Sequence, residues 1–234
     1  MTPPSPYDGA TSPADGAGKP ALPPDVSRET VAQLEALVEI LAKWQKAINL
    51  IGKTTLDDAW TRHIVDSAQL APHIPAGAKS LADLGSGAGF PGLVLAALRP
   101  DLDITLIESD ARKGAFLGEA GRRMGLAKQP KIVIARIEKA PPAGADVVTA
   151  RALAPLKQLL VWADRHRQNE GSGPAICLFH KGKGWEAELT EARRDWDIEA
   201  APFPSTTDRD AVLLRIDRYR TAHLRDRQPE GRGR

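Results

Sequence analysis

Leu81-Ala82-Asp83-Leu84-Gly85-Ser86-Gly87-Ala88-Gly89-Phe90-Pro91-Gly92 is an apolar strand that runs into a glycine loop and leaves it as a helix. Gly85, Gly87 and Gly89 carry no Cβ, so the backbone there can turn tightly and approach a ligand closely. Pro91 suits the first turn of a helix, where its missing N–H removes nothing needed. Leu93, Val94, Leu95 and Leu98 then continue an apolar helix as far as Pro100.

A glycine turn between strand and helix also serves dinucleotides, through G-x-G-x-x-G. The third glycine of that pattern would fall at position 90, which is Phe90. The observed run is acidic-x-G-x-G-x-G, a form that suits S-adenosylmethionine better: the methionine end of that cofactor needs close backbone approach and a nearby acid such as Asp83. The next strand reads Asp103-Ile104-Thr105-Leu106-Ile107-Glu108. It ends in a carboxylate about 20 residues past the glycines, the usual distance for gripping ribose hydroxyls, which makes Glu108 the expected ribose ligand.

With 234 residues the chain has ample material for a sizeable core, and its apolar and charged fractions of 42% and 26% are those of a soluble globular protein. No stretch approaches a transmembrane span, and no basic segment followed by an apolar run opens the chain, so a cytoplasmic location is expected. A single cysteine, Cys177, excludes an internal disulfide and a cysteine-cluster metal site. It lies in Ala175-Ile176-Cys177-Leu178-Phe179, a buried-strand pattern, and reads as a core thiol rather than a nucleophile. The net charge is only +2, so any nucleic-acid surface must be a local patch.

Residues 1–25 are rich in Pro, Gly, Ala, Ser and Thr and are expected to be disordered. Helices packed on the core are expected over 26–75. In the first, Val31, Leu34, Leu37, Val38, Leu41, Trp44 and Ile48 follow helical spacing behind a Ser27 cap. A second helix is expected to start at Thr55, with Asp58 completing a capping box and Trp60, Ile64 and Leu70 facing inward. It also carries Arg62, His63 and Asp66; from spacing alone, Arg62 and Asp66 form a surface ion pair. The catalytic domain is expected over 76–219, where strands and helices alternate: helix Ala111 to Leu126, strand Lys131 to Ala135, strand Ala145 to Ala150, a helix through Leu156 and Trp162, strand Ala175 to Phe179 and helix Trp185 to Trp196. Alternation of this kind predicts a parallel sheet with helices on both faces. Ile198 to Phe203 and Ala211 to Tyr219 are joined by a link too short for a helical crossover, so they pair antiparallel. The expected fold is α/β, a doubly wound seven-strand sheet of the class I methyltransferase type with a C-terminal antiparallel hairpin, and residues 220–234 form a basic flexible tail.

Ligands of such sheets bind beyond the carboxyl ends of the strands. That rule brings Arg136, Arg151, Lys181 and Lys183 to one rim of a nearly neutral protein, as a phosphate-bearing substrate requires. The alternative for Arg151 is a plain ion pair with Glu138 or Asp146.

From about Trp44 to Tyr219 the chain resembles the RsmG (GidB) family of bacterial 16S rRNA guanine-N7 methyltransferases. The matching segments are Trp44 to Leu50, Arg62-His63-Ile64-Val65-Asp66-Ser67, Asp83 to Gly92, Arg136-Ile137-Glu138, Ala150-Arg151-Ala152 and Lys181-Gly182; the Arg-His-x-x-Asp-Ser segment is the specific one. The resemblance implies that Gly85, Phe90, Ile137, Glu138 and Arg151 contact S-adenosylmethionine, beside Asp83, Gly87 and Glu108, and Glu108 stands where the family often has Asp. It implies positioning roles for Arg62, His63 and Lys181, contact of Arg62, Arg136, Lys181 and Lys183 with RNA, and 16S rRNA or the small ribosomal subunit as partner of a monomer. No metal is expected. Guanine N7 has an in-plane lone pair and needs no base, so catalysis rests on positioning and electrostatics. The Asn-Pro-Pro-Tyr/Phe signature of amine-methylating relatives is absent after the fourth strand, where Thr149-Ala150-Arg151-Ala152 stands. The alternatives are a methyltransferase of the same class acting on another RNA, a small molecule or a protein, and a nicotinamide-binding dehydrogenase or nucleotide sensor.

Overall fold

The computed structural model describes residues 22–23, 25–52, 55–168 and 175–221. Its centre is a seven-stranded sheet of order β3-β2-β1-β4-β5-β7-β6. The strands are β1 (Ser80–Leu84), β2 (Asp103–Glu108), β3 (Lys131–Ile134), β4 (Val147–Arg151), β5 (Ile176–Lys181), β6 (Trp196–Pro204) and β7 (Val212–Thr221). The first five run parallel, β7 pairs antiparallel with β5, and β6 pairs antiparallel with β7. The doubly wound fold with its C-terminal hairpin is therefore the one expected.

Strand residues alternate between two apolar layers, as the period of two requires. Leu81, Leu106, Val147 and Leu178 point into the layer formed with α1 (Arg28–Trp44), α3 (Gly92–Leu98) and α4 (Ala111–Met124). Their neighbours Ala82, Ile107, Val148 and Phe179 point into the opposite layer, with α5 (Leu156–His166) and α6 (Trp185–Ala192). Each fully buried Leu contributes about 1.5–3 kcal/mol, so these two layers clamp the sheet between its helices. The turn from β1 into α3 is thereby a rigid platform.

Several expected boundaries move. The first helix is capped by Ser27, whose side chain accepts from Thr30 N, but it stops at Trp44 rather than continuing to Ile48. Gln45 turns the chain there: its Oε1 accepts from Leu50 N and Ile51 N, and its Nε2 donates to Ile51 O. No helix starts at Thr55 and no capping box forms, because Thr55 donates its hydroxyl to Gly52 O and closes a turn instead. The second helical segment runs as a wider π-type coil over Trp60–Val65 and finishes in α2 (Asp66–Ala68). Such π segments are frequent where side chains are aimed at a site. Trp196 opens β6 instead of ending a helix, its ring edge against Tyr219. Of the segment 1–25, Leu22 packs against the core, while residues 1–21 and 24 lie outside the described residues. Arg220 belongs to β7, and 222–234 lie outside the described residues.

Candidate functional site

At the carboxyl ends of the parallel strands two clefts open side by side, and both are lined by Arg151 and Ala152 at the end of β4. Ala152 has φ +47°, a left-handed conformation unusual for a residue with a Cβ, so the wall between the clefts is a strained bend.

The first cleft, of about 380 Å³, lies between the glycine turn, the end of β2 and the segment after β3. Gly85 and Gly87 have φ of +66° and +54°, and a Cβ at Gly87 would have only Gly85 O within 4 Å, so that position faces open space. Glu108, 7% exposed, is fixed at the floor: one oxygen accepts from Gly87 N at 2.9 Å and the other from Asp110 N at 2.8 Å. A carboxylate has about four acceptor sites, so each oxygen keeps one for a ligand hydroxyl. Ile137 and Glu138 line the opposite wall. Gly85, Gly87, Glu108, Ile137, Glu138 and Arg151 thus meet in one cleft, as the sequence reading expects.

Asp83 does not join them. It is fully buried beneath the turn, accepts from Thr149 Oγ1 at 2.9 Å and from Gly92 N at 3.3 Å, and has no surface open to a ligand. Burial pushes its carboxyl up to about 7, partly opposed by those hydrogen bonds. Its place on the inward face of β1 makes it a support that ties the strand to the start of α3.

Arg151 pairs with neither Glu138 nor Asp146. Its Nη2 lies 3.1 Å from Asp66 Oδ2 and donates to the Arg62 carbonyl, and its Nη1 lies 3.1 Å from His63 Nδ1. The expected Arg62–Asp66 surface pair is replaced by this bond, because the π-type coil turns Asp66 inward and leaves Arg62 exposed. A guanidinium only donates, so His63 Nδ1 must be an acceptor and the ring is the neutral Nε2–H tautomer. Consistently, Nε2 lies 3.2 Å from Thr55 Oγ1, whose own proton goes to Gly52 O. Burial, reinforced by the Arg151 charge, lowers the imidazole to about 4. The ring stacks on Phe90 with centroids 4.9 Å apart, so His63 joins the glycine turn to Arg151.

The second cleft, of about 240 Å³, lies between Arg62, Asp66, the end of β5 and the loop between β6 and β7. Asp66 Oδ1 accepts from Thr207 Oγ1 at 2.7 Å and from Gln69 Nε2 at 2.8 Å, and the Asp66 carbonyl accepts from His180 Nε2 at 2.8 Å. Asp66, His180 and Thr207 were not among the expected site residues. The i, i+3 spacing of His63 and Asp66 on one helical face was the available signal for Asp66; the hairpin loop carries none.

Lys181 lines the second cleft, is 7% exposed, and is bound to Glu188 at 2.6 Å and to the Ala154 carbonyl at 3.0 Å, so its charge is paired within the protein. Glu188 also accepts from Leu156 N at 2.7 Å, so this lysine helps cap α5 from α6. Arg62, Arg136 and Lys183 are exposed, with Arg136 3.7 Å from Glu138. Cys177 is buried and its thiol is pushed up to about 12 by burial, which suits a core residue and not a nucleophile.

Residues 30–209 match the GidB family, rRNA small subunit methyltransferase G. Ribosomal RNA small subunit methyltransferase G of Paramagnetospirillum magneticum is 51% identical over 192 residues, covering 82% of this chain and 90% of the relative. The protein of the same name from Gluconobacter oxydans is 46% identical over 196 residues, covering 83% and 97%. Among solved structures, TYW2 of M. jannaschii in complex with AdoMet superposes with a TM-score of 0.53 at 11% identity, covering 74% of this chain and 78% of that one. The O-methyltransferase TomG of Streptomyces achromogenes in complex with SAM gives 0.51 at 14% identity, covering 78% and 89%. At such identities these two speak for the fold alone.

Proposed function

The chain belongs to the GidB family, rRNA small subunit methyltransferase G, and from that premise we propose that it transfers the methyl group of S-adenosylmethionine to N7 of a guanine in the decoding-region loop of 16S rRNA. The observation that carries the reading is the pair of clefts sharing the Arg151–Ala152 wall, which lets a cofactor and a base meet at one point.

The residues of the first cleft fit the cofactor. Glu108 offers two preset acceptor sites for ribose hydroxyls, the glycine turn leaves room for close approach, and Ile137 gives an apolar wall for a ring. When bound, S-adenosylmethionine supplies an electrophilic methyl group, which guanine N7 accepts through its lone pair without loss of a proton. The protein therefore needs no general base. His63 is neutral, but both ring nitrogens are engaged by Arg151 and Thr55. What remains for the side chains is orientation and charge. Methylation leaves the guanine cationic, and Asp66 offsets the Arg151 charge beside it. His63, stacked on Phe90 and bonded to Arg151, holds the glycine turn and the shared wall in register. Arg62, Arg136 and Lys183, exposed on the rim, are the groups for rRNA phosphates.

Small ribosomal subunits incubated with the protein and labelled S-adenosylmethionine, then digested to nucleosides, should carry the label in 7-methylguanosine at one position. Label in an exocyclic amine, in cytosine or in protein alone would overturn the assignment.

A further inference from the structure

The second cleft holds two carboxylates, and they are not equivalent. Asp66 is committed, with both oxygens accepting from protein donors. Asp208 is exposed; one oxygen accepts from Asp210 N at 3.0 Å, and no donor among the described residues reaches the other. Its position is nonetheless built. Asp208 N lies 3.3 Å from Ser205 Oγ, Ala211 N donates to the Asp208 carbonyl at 3.2 Å, and the loop is pinned from outside by Thr207 on Asp66 and by Thr206 N on Gln69 Oε1.

An acid fixed in a cleft that receives RNA repels phosphates and weakens binding, unless it accepts hydrogen bonds from something RNA alone supplies. Base edges supply such donors. Guanine is the base whose Watson–Crick edge carries two adjacent N–H donors, N1–H and the N2 amine, matching the two oxygens of one carboxylate. N7 lies across the ring from that edge. Arg151 and Ala152 line this cleft from the end of β4 and Asp208 lines it from the loop between β6 and β7, with β5 lying between β4 and β7 in the sheet. A guanine with N7 at the wall shared with the cofactor cleft can therefore present its Watson–Crick edge to Asp208 within the same cleft. Resting on the N7 reading above, we infer that Asp208 is the specificity-determining residue that reads N1–H and N2–H of the acceptor guanine. Adenine meets it with a lone pair at N1 and is rejected by repulsion.

The test compares small subunits reconstituted with guanine or with inosine, which lacks the N2 amine, at the mapped acceptor position. Wild type should favour guanine over inosine in kcat/KM by about ten- to a hundredfold, the span of one charge-assisted hydrogen bond. In Asp208→Asn the guanine rate should fall by about tenfold or more, the inosine rate by less, and the ratio should collapse toward one, with Asp208→Glu recovering part of it. The ratio is internal to each preparation, so a fraction of misfolded variant does not disturb it. A wild type indifferent to the N2 amine, or a ratio retained in Asp208→Asn, would overturn the role of Asp208 while leaving the N7 reading standing. Wild-type protein that methylates neither base would overturn both.

Discussion

Replacing Asp66 by Asn keeps the shape of the side chain and removes its charge, leaving the Arg151 guanidinium, whose side chain is only 19% exposed, without a counter-ion. Removing one partner of a buried ion pair costs about 3–5 kcal/mol. Two features reduce that figure here. Arg151 keeps the Arg62 carbonyl and His63 Nδ1 as acceptors, and the amide oxygen of the substituted side chain still accepts from Thr207 or Gln69. About 2–3 kcal/mol is therefore expected. With a urea slope of about 2–3 kcal/mol/M, the unfolding midpoint should fall by roughly 1 M, read from tryptophan fluorescence. Arg151→Met and the double variant complete a cycle whose coupling energy should be about 1.5–3 kcal/mol. Loss of less than about 0.5 kcal/mol in Asp66→Asn, or additive single variants, would refute the view that this pair organises the wall between the clefts.

Glu108→Gln presents one acceptor oxygen instead of two and should weaken S-adenosylhomocysteine binding by about ten- to a hundredfold in calorimetry; unchanged affinity would remove Glu108 from the cofactor site. The Asp83 carboxyl titrates near 7 in the folded state against 3.8 unfolded, so its contribution to stability is full below about 4 and is lost as pH rises through 7. His63, lowered from 6.5 to about 4, works the other way: its contribution is present above 6.5 and lost as pH falls through 4. Asp83→Asn should therefore leave stability rising more steeply with pH between 4 and 7 than in the wild type, and parallel curves would contradict the burial argument. Arg62→Ala and Lys183→Ala should each lower the salt slope of rRNA binding by about 0.7–0.9, while the paired Lys181, changed to Met, should reduce stability and leave that slope alone. A reduced slope in Lys181→Met would show that its head group reaches phosphate.

What was legible in the sequence was short-range. The acidic-x-G-x-G-x-G turn, the carboxylate ending β2 and the short apolar runs of strands such as Ile104 to Ile107 each depend on neighbours in the chain. Backbone geometry enforces such local patterns wherever a strand or helix forms, which is why the sheet, the hairpin and the cofactor cleft could be anticipated. The failures at the site were partnerships across the fold. Arg62 and Asp66 have the spacing of an ion pair, yet a π-type coil rotates Asp66 to Arg151, while His63, 88 residues before Arg151 in the chain, takes another of its protons. Lys181 stands at the end of a strand, where a substrate cation is expected, and α6 brings Glu188 over it. Asp83 has the motif position of a ligand, and α3 seals it from solvent. Residue type and spacing determined which chemistry was present at the strand ends. Which groups were spent on each other and which were left facing the clefts was decided by packing, because a hydrogen bond or an ion pair depends on distance in space and not on distance along the chain.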